Sequence, residues 1–166
     1  MKGFQTVANL YRKNFCDGKA RPLNYGELHY GCHNFTGPGT RTDLPSVVNY
    51  PPYNNIDACS RQHDLDYLKA SELPDKERRE AVREADKKVL ACYDKYPNDN
   101  GYNIAKLGIN SKISLENALP MVLKSVTGKY FGQEKYGLGN GNIYNSDAVH
   151  DRMEQIKIAR MFQRYN

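Results

Sequence analysis

Three short stretches hold the residue types that could do chemistry: the loop Phe35-Thr36-Gly37-Pro38-Gly39-Thr40, the pair His63-Asp64, and Asp86 with Cys92 six residues after it. Glycines let a backbone turn its carbonyls toward a common point, as a site for a hard cation such as Ca²⁺ requires. A carboxylate at Asp64 could hold that cation, and an imidazole at His63 oriented by a second carboxylate could take a proton from water. Together these are the parts needed to activate water on an ester. Taken singly, the glycine loop reads as a tight turn and His63-Asp64 as a satisfied helical pair.

Helices must bring these parts together. Residues 17–53 are dense in Gly, Pro, Asn and Tyr and read as irregular structure with turns. From Asn54 or Asn55, either an N-cap, a helix is expected to about Ala70, broken by Ser71 to Pro74. Asp75 can cap a second helix to about Tyr96, ended by Pro97-Asn98-Asp99-Asn100-Gly101. Two more helices are expected at Ser114 to Thr127, with Pro120 a kink point, and at Ser146 to Arg164, with Val149, Met153, Ile156 and Ala159 on one face. Gly128 to Asn145 reads as a linker. The fold class is mainly α.

On the first central helix Ile56, Cys59, His63, Tyr67 and Ala70 recur at three- and four-residue spacing, which turns His63 inward and leaves Asp64 at the edge. Val82, Ala85, Val89, Cys92, Tyr93 and Tyr96 form the matching stripe on the second, with Asp86 at its border. An acid there wants a partner. If the two helices are antiparallel and Cys59 meets Cys92, four residues forward from Cys59 climb about 6 Å to His63 and six residues back from Cys92 climb about 9 Å to Asp86. The histidine and the acid then stand at similar heights.

The 166 residues favour one domain with a real core. No apolar run reaches the roughly 18 to 20 residues of a membrane-spanning helix, and residues 1–15 lack the apolar core of a secretory signal. The net charge of +5 is uneven, with 15 basic and 14 acidic residues in positions 1–100 but 9 and 5 in positions 101–166. Such a tail suits an anionic membrane or nucleic acid, or simply a solvated surface. Four cysteines, Cys16, Cys32, Cys59 and Cys92, allow three pairings. A zinc site from Cys16, Cys32 and His33 lacks the close CxxC spacing that would support it.

The order FTGPGT, then IDACSRQHDLDY, then READKKVLAC resembles the phospholipase A2 superfamily, most of all the compact type in parvovirus minor capsid proteins, over roughly residues 33 to 93. The resemblance implies a phospholipase A2-like fold, with two antiparallel central helices carrying a His/Asp dyad and a Gly-rich calcium loop. It implies His63 as general base, Asp86 as its partner, Asp64 as the carboxylate ligand of Ca²⁺, and Phe35, Gly37 and Gly39 as carbonyl ligands. Tyr67 matches the tyrosine that supports the dyad aspartate, and Cys59 and Cys92 match bridged positions. Phe35 stands for the usual tyrosine, Thr40 for glycine or asparagine, and Asp66, Ala85 and Ser60 where secreted members carry further cysteines.

The expected organisation is an N-terminal arm at 1–24, a catalytic core at 25–100 and a basic helical extension at 101–166. The expected activity is calcium-dependent hydrolysis of the sn-2 ester of glycerophospholipids. Its substrate would be a phospholipid bilayer, with an anionic membrane surface met by Lys112, Lys124, Lys129, Arg160 and the helix 146–164. No specific nucleic acid is expected as a partner. The setting implied is a virion or secreted protein acting at host membranes, serving to breach them during viral entry. The alternatives are a catalytically silent relative that binds membrane or a receptor, and a small structural virion protein.

Overall fold

A computed structural model describes residues 2–127, without the side chains of Lys2, Phe4, Asp75 and 119–127. The expected linker 128–145 and helix 146–164 lie outside the described residues, as do the side chains of Lys124, Lys129 and Arg160. The described part is mainly helical, with no strand among the described residues. No helix in it is long and apolar enough to cross a membrane. Residues up to Lys112 form one compact unit; a second begins at Ile113, and of it the structure describes the helical residues to Thr127.

The first helix, α1 (Lys2–Phe15), lies in the stretch expected to be an arm. Gln5, Asn9 and Arg12 of this helix face the protein. Asn9 exchanges two hydrogen bonds with the Leu23 backbone, at 3.1 and 2.7 Å, and Gln5 donates to the Asn24 carbonyl. Arg12, 2% exposed, donates to the carbonyls of Arg21, Gly31 and His33 and to Asn34 Oδ1, all within 2.9 Å. Burial, then the neighbouring Arg21, lower its pKa to about 10. Val7, Leu10, Tyr11 and Phe15 point outward, between 49% and 69% exposed. A disulfide from Cys16 to Cys32 fastens the end of α1 to the following loop. That bridge settles the open pairing and removes both thiols from any zinc site.

The segment 17–53 is irregular as expected, apart from one turn of helix, α2 (Pro45–Val48), started by its proline. Helix α3 (Asn55–Ala70) begins at the Asn54 cap, whose side chain accepts from the Asp57 amide. Helix α4 (Asp75–Tyr93) follows a four-residue connection and packs on α3. Two details differ from expectation. Pro74, and not Asp75, sits at the N-cap, and the helix stops at Tyr93, where Asp94 takes the C-cap.

Helix α5 (Tyr102–Thr127) starts twelve residues before the expected Ser114 and runs through Pro120. Gly108 and three asparagines weaken its helical signal, but Ala105 and Ile109 pack against Ile56, Cys59, Val89 and Tyr93 and pull the early turns into the core. Tertiary packing outweighs propensity there. The Cys59–Cys92 disulfide spans α3 and α4 with Cα atoms 5.8 Å apart. A cross-link closing a loop of this length stabilises by about 3 to 4 kcal/mol in the chain-entropy picture.

Candidate functional site

One turn along α3 from Cys59, His63 Nε2 lies 2.9 Å from Asp86 Oδ1. Asp86 is 2% exposed, so it sits within the helix contact and not at its border as the sequence suggested. Tyr67 donates to the same Oδ1 at 2.5 Å. Lys112, from α5, donates to Oδ2 at 2.7 Å. Burial raises the carboxyl pKa, but bonds from His63, Lys112 and Tyr67 outweigh it and hold Asp86 below its ordinary value.

This arrangement assigns the tautomer of His63. An ionised carboxylate only accepts, so Nε2 carries a proton, and in the neutral imidazole Nδ1 presents a lone pair. Nδ1 makes no hydrogen bond with any described residue. The Tyr67 ring, 4.1 Å away between centroids, limits the imidazole from one side.

Asp64 follows His63 on α3 and meets different surroundings. Its Oδ2 is shut off from solvent without a hydrogen bond, although the residue as a whole is half-buried. Burial pushes its pKa well above the ordinary value, with Asp57 and Glu27 adding to the rise. The Thr40 hydroxyl offsets part of that cost, yet Thr40 Oγ1 is itself buried without a hydrogen bond, so the contact falls short of one. A buried carboxyl oxygen without a partner is relieved either by protonation or by a bound cation.

The glycine loop carries backbone carbonyls of two kinds. The carbonyls of Thr36 and Pro38 accept from the amides of Tyr30 and Leu28, at 2.9 and 3.0 Å. The alternate carbonyls, those of Phe35, Gly37 and Gly39, accept no hydrogen bond from a described residue. Both glycines are required. Gly37 has φ +142° and Gly39 φ +86°, and a Cβ would stand 2.0 Å from the Leu28 oxygen or 2.3 Å from that of Gly26.

Asp57 anchors the loop, a role the sequence reading did not single out. Fully buried, it accepts from the amides of Asn34, Phe35 and Thr36 at 2.7 to 2.9 Å, from Thr36 Oγ1 at 3.1 Å and from the Tyr53 amide at 2.9 Å. The available signal was its spacing, two turns before Asp64 and so on the same side of α3. Ser60 adds a second tie, bonding Thr36 Oγ1 and the Tyr93 hydroxyl at 2.8 Å each. Hydroxyls thus link the loop, α3 and α4 at this point.

Among the described residues no group of three or more His, Cys, Asp or Glu side chains could hold a metal ion. A site of one carboxylate and backbone carbonyls is of another kind and suits Ca²⁺, which takes 6 to 8 oxygen ligands in flexible geometry. Asp66 instead accepts from Gln62 at 2.9 Å, and Ala85 is buried in the α4 contact face. Lys112, expected to meet lipid headgroups, is 8% exposed and pairs with Asp86. Compared with known proteins, the chain matches no family model, no curated protein and no solved structure.

Proposed function

We propose that this chain is a calcium-dependent phospholipase A2 of the compact parvovirus type, hydrolysing the sn-2 ester of glycerophospholipids. The observation that carries the reading is the pairing of an Asp86-held imidazole, its Nδ1 lone pair unengaged, with a buried orphan carboxylate oxygen on the next residue. His63 Nδ1 takes a proton from water, and the water oxygen attacks the ester carbonyl. Asp86 keeps the imidazole in the Nε2–H form and stabilises the imidazolium as the proton arrives. The same proton then passes from His63 to the departing alcohol oxygen. No serine or cysteine nucleophile is required.

Asp64 and the carbonyls of Phe35, Gly37 and Gly39 are the residues that would hold Ca²⁺. Bound there, Ca²⁺ supplies charge for the ester carbonyl oxygen. The Gly37 amide would serve as a second donor toward that oxygen. Asp57 and Ser60 keep the loop against α3, and Tyr67 keeps Asp86 aimed.

A bilayer substrate requires a docking face. Among the described residues the outward side of α1 supports this best: Val7, Leu10, Tyr11 and Phe15 are exposed, the helix has no acidic residue, and exposed Lys13 flanks the stripe. Two disulfides support an oxidising setting, as in a virion or secreted protein. The test is a fluorescent phospholipid assay. Hydrolysis is expected with calcium, and is expected to vanish in chelator and in folded His63→Gln; full activity in chelator would sink the calcium mechanism.

A further inference from the structure

We propose that Lys112 is a positioning residue for the His63–Asp86 pair, holding the Oδ2 side of the carboxylate so that Oδ1 stays aimed at the imidazole. Its catalytic consequence rests on the phospholipase reading above. His63 and Tyr67 both donate to Oδ1. Two donors on one oxygen make a pivot, about which the carboxylate plane can still swing. Lys112 Nζ, 2.7 Å from Oδ2, fixes that plane. The same ammonium lies 5.3 Å from the Tyr67 ring centroid, over its face, and so orders a second member of the group.

The register of α5 makes this lysine conspicuous. Ala105, Ile109 and Lys112 recur at four and three residues, so Lys112 occupies the next core-facing position after two apolar ones. An apolar side chain there would extend the packing without the cost of burying an ammonium. Core stability alone therefore does not call for lysine. The carboxylate it meets is the one that sets the tautomer of His63, and a third donor from a third helix ties that choice to the seating of α5.

The experiment compares Lys112→Met, Lys112→Gln and Lys112→Arg in the full chain. Three quantities are read: the melting transition, kcat and KM on dispersed phospholipid with calcium, and the downfield proton signal of the His63 Nε2–H in calcium-free buffer. Folded Lys112→Met is expected to lose about 10- to 100-fold in kcat with KM little changed, because supporting partners of reactive groups act on that scale. Its ring N–H signal is expected to broaden or disappear, and Lys112→Arg to restore both. Lys112→Gln, which keeps a donor and removes the charge, is expected to show the same losses in smaller measure and serves if the methionine variant does not fold.

Wild-type kcat together with an intact ring N–H signal, in whichever of the Met and Gln variants folds, would overturn the proposal and leave Lys112 as a packing residue of α5. Absence of hydrolysis by the wild type would instead defeat the phospholipase reading. The ring N–H comparison would still decide the role of Lys112.

Discussion

Asp57 and Asp64 stand two turns apart on α3 and meet opposite electrostatics. The first is surrounded by donors, with three successive loop amides on its oxygens; the second keeps a buried oxygen unpaired. Removing their charges should therefore have opposite effects. Asp57→Asn loses acceptor capacity against buried amides and is expected to cost about 3 kcal/mol in urea unfolding, with calcium affinity falling as the loop loosens. Asp64→Asn is expected to leave calcium-free stability unchanged or higher, because burial already penalises its charge, while calcium binding is lost. An equal loss of stability in both variants would contradict the division of roles. His63 and Asp86 were legible from helical spacing and the assumed cysteine pairing; Asp57 was not, since its spacing from Asp64 marks a shared side of α3 but not which aspartate meets a loop's amides.

At the scale of elements, α3 and α4 were legible because their apolar stripes follow the helical period. Helix α1 was not, for it is patterned the other way round: Gln5, Asn9 and Arg12 face the protein and the apolar residues face out. Polar residues spaced four and three apart read as a solvated face until the loop carbonyls they serve are in view. The early turns of α5 were missed for a related reason, as their helical state comes from packing on α3 and α4. An outward apolar stripe without acidic residues is suited to an anionic bilayer. Replacing Val7, Leu10 and Phe15 together by serine is expected to preserve the circular dichroism of the fold, since none of the three is buried, and to weaken co-sedimentation with anionic vesicles at least about tenfold. Unchanged co-sedimentation would remove α1 as the docking face.

Over the whole compact unit, a buried ionic cluster joins α1 to the loops beside the site. Glu27 receives two bonds from Arg21, at 2.7 and 2.8 Å, and the amides of Asn24 and Arg41. Burial raises its pKa, but His29 at 3.7 Å, the bonds from Arg21 and these amides win and hold it far below the ordinary carboxylate value. A carboxyl depressed in the folded state stabilises above its unfolded pKa and loses that contribution as pH falls toward the folded one. Glu27→Gln is thus expected to cost about 3 kcal/mol at pH 7. The gap from wild type should narrow below about pH 4.5; a pH-independent gap would assign the loss to packing.

The central claim joins this frame to one reaction. Its most direct measurement uses a phosphatidylcholine with different acyl chains at sn-1 and sn-2, incubated with the full chain and analysed for free fatty acid by mass spectrometry. Wild type with calcium is expected to release the sn-2 chain alone, and Asp64→Asn, His63→Gln and wild type in chelator to release none. Release without calcium, release of the sn-1 chain, or wild-type turnover by Asp64→Asn would contradict the account.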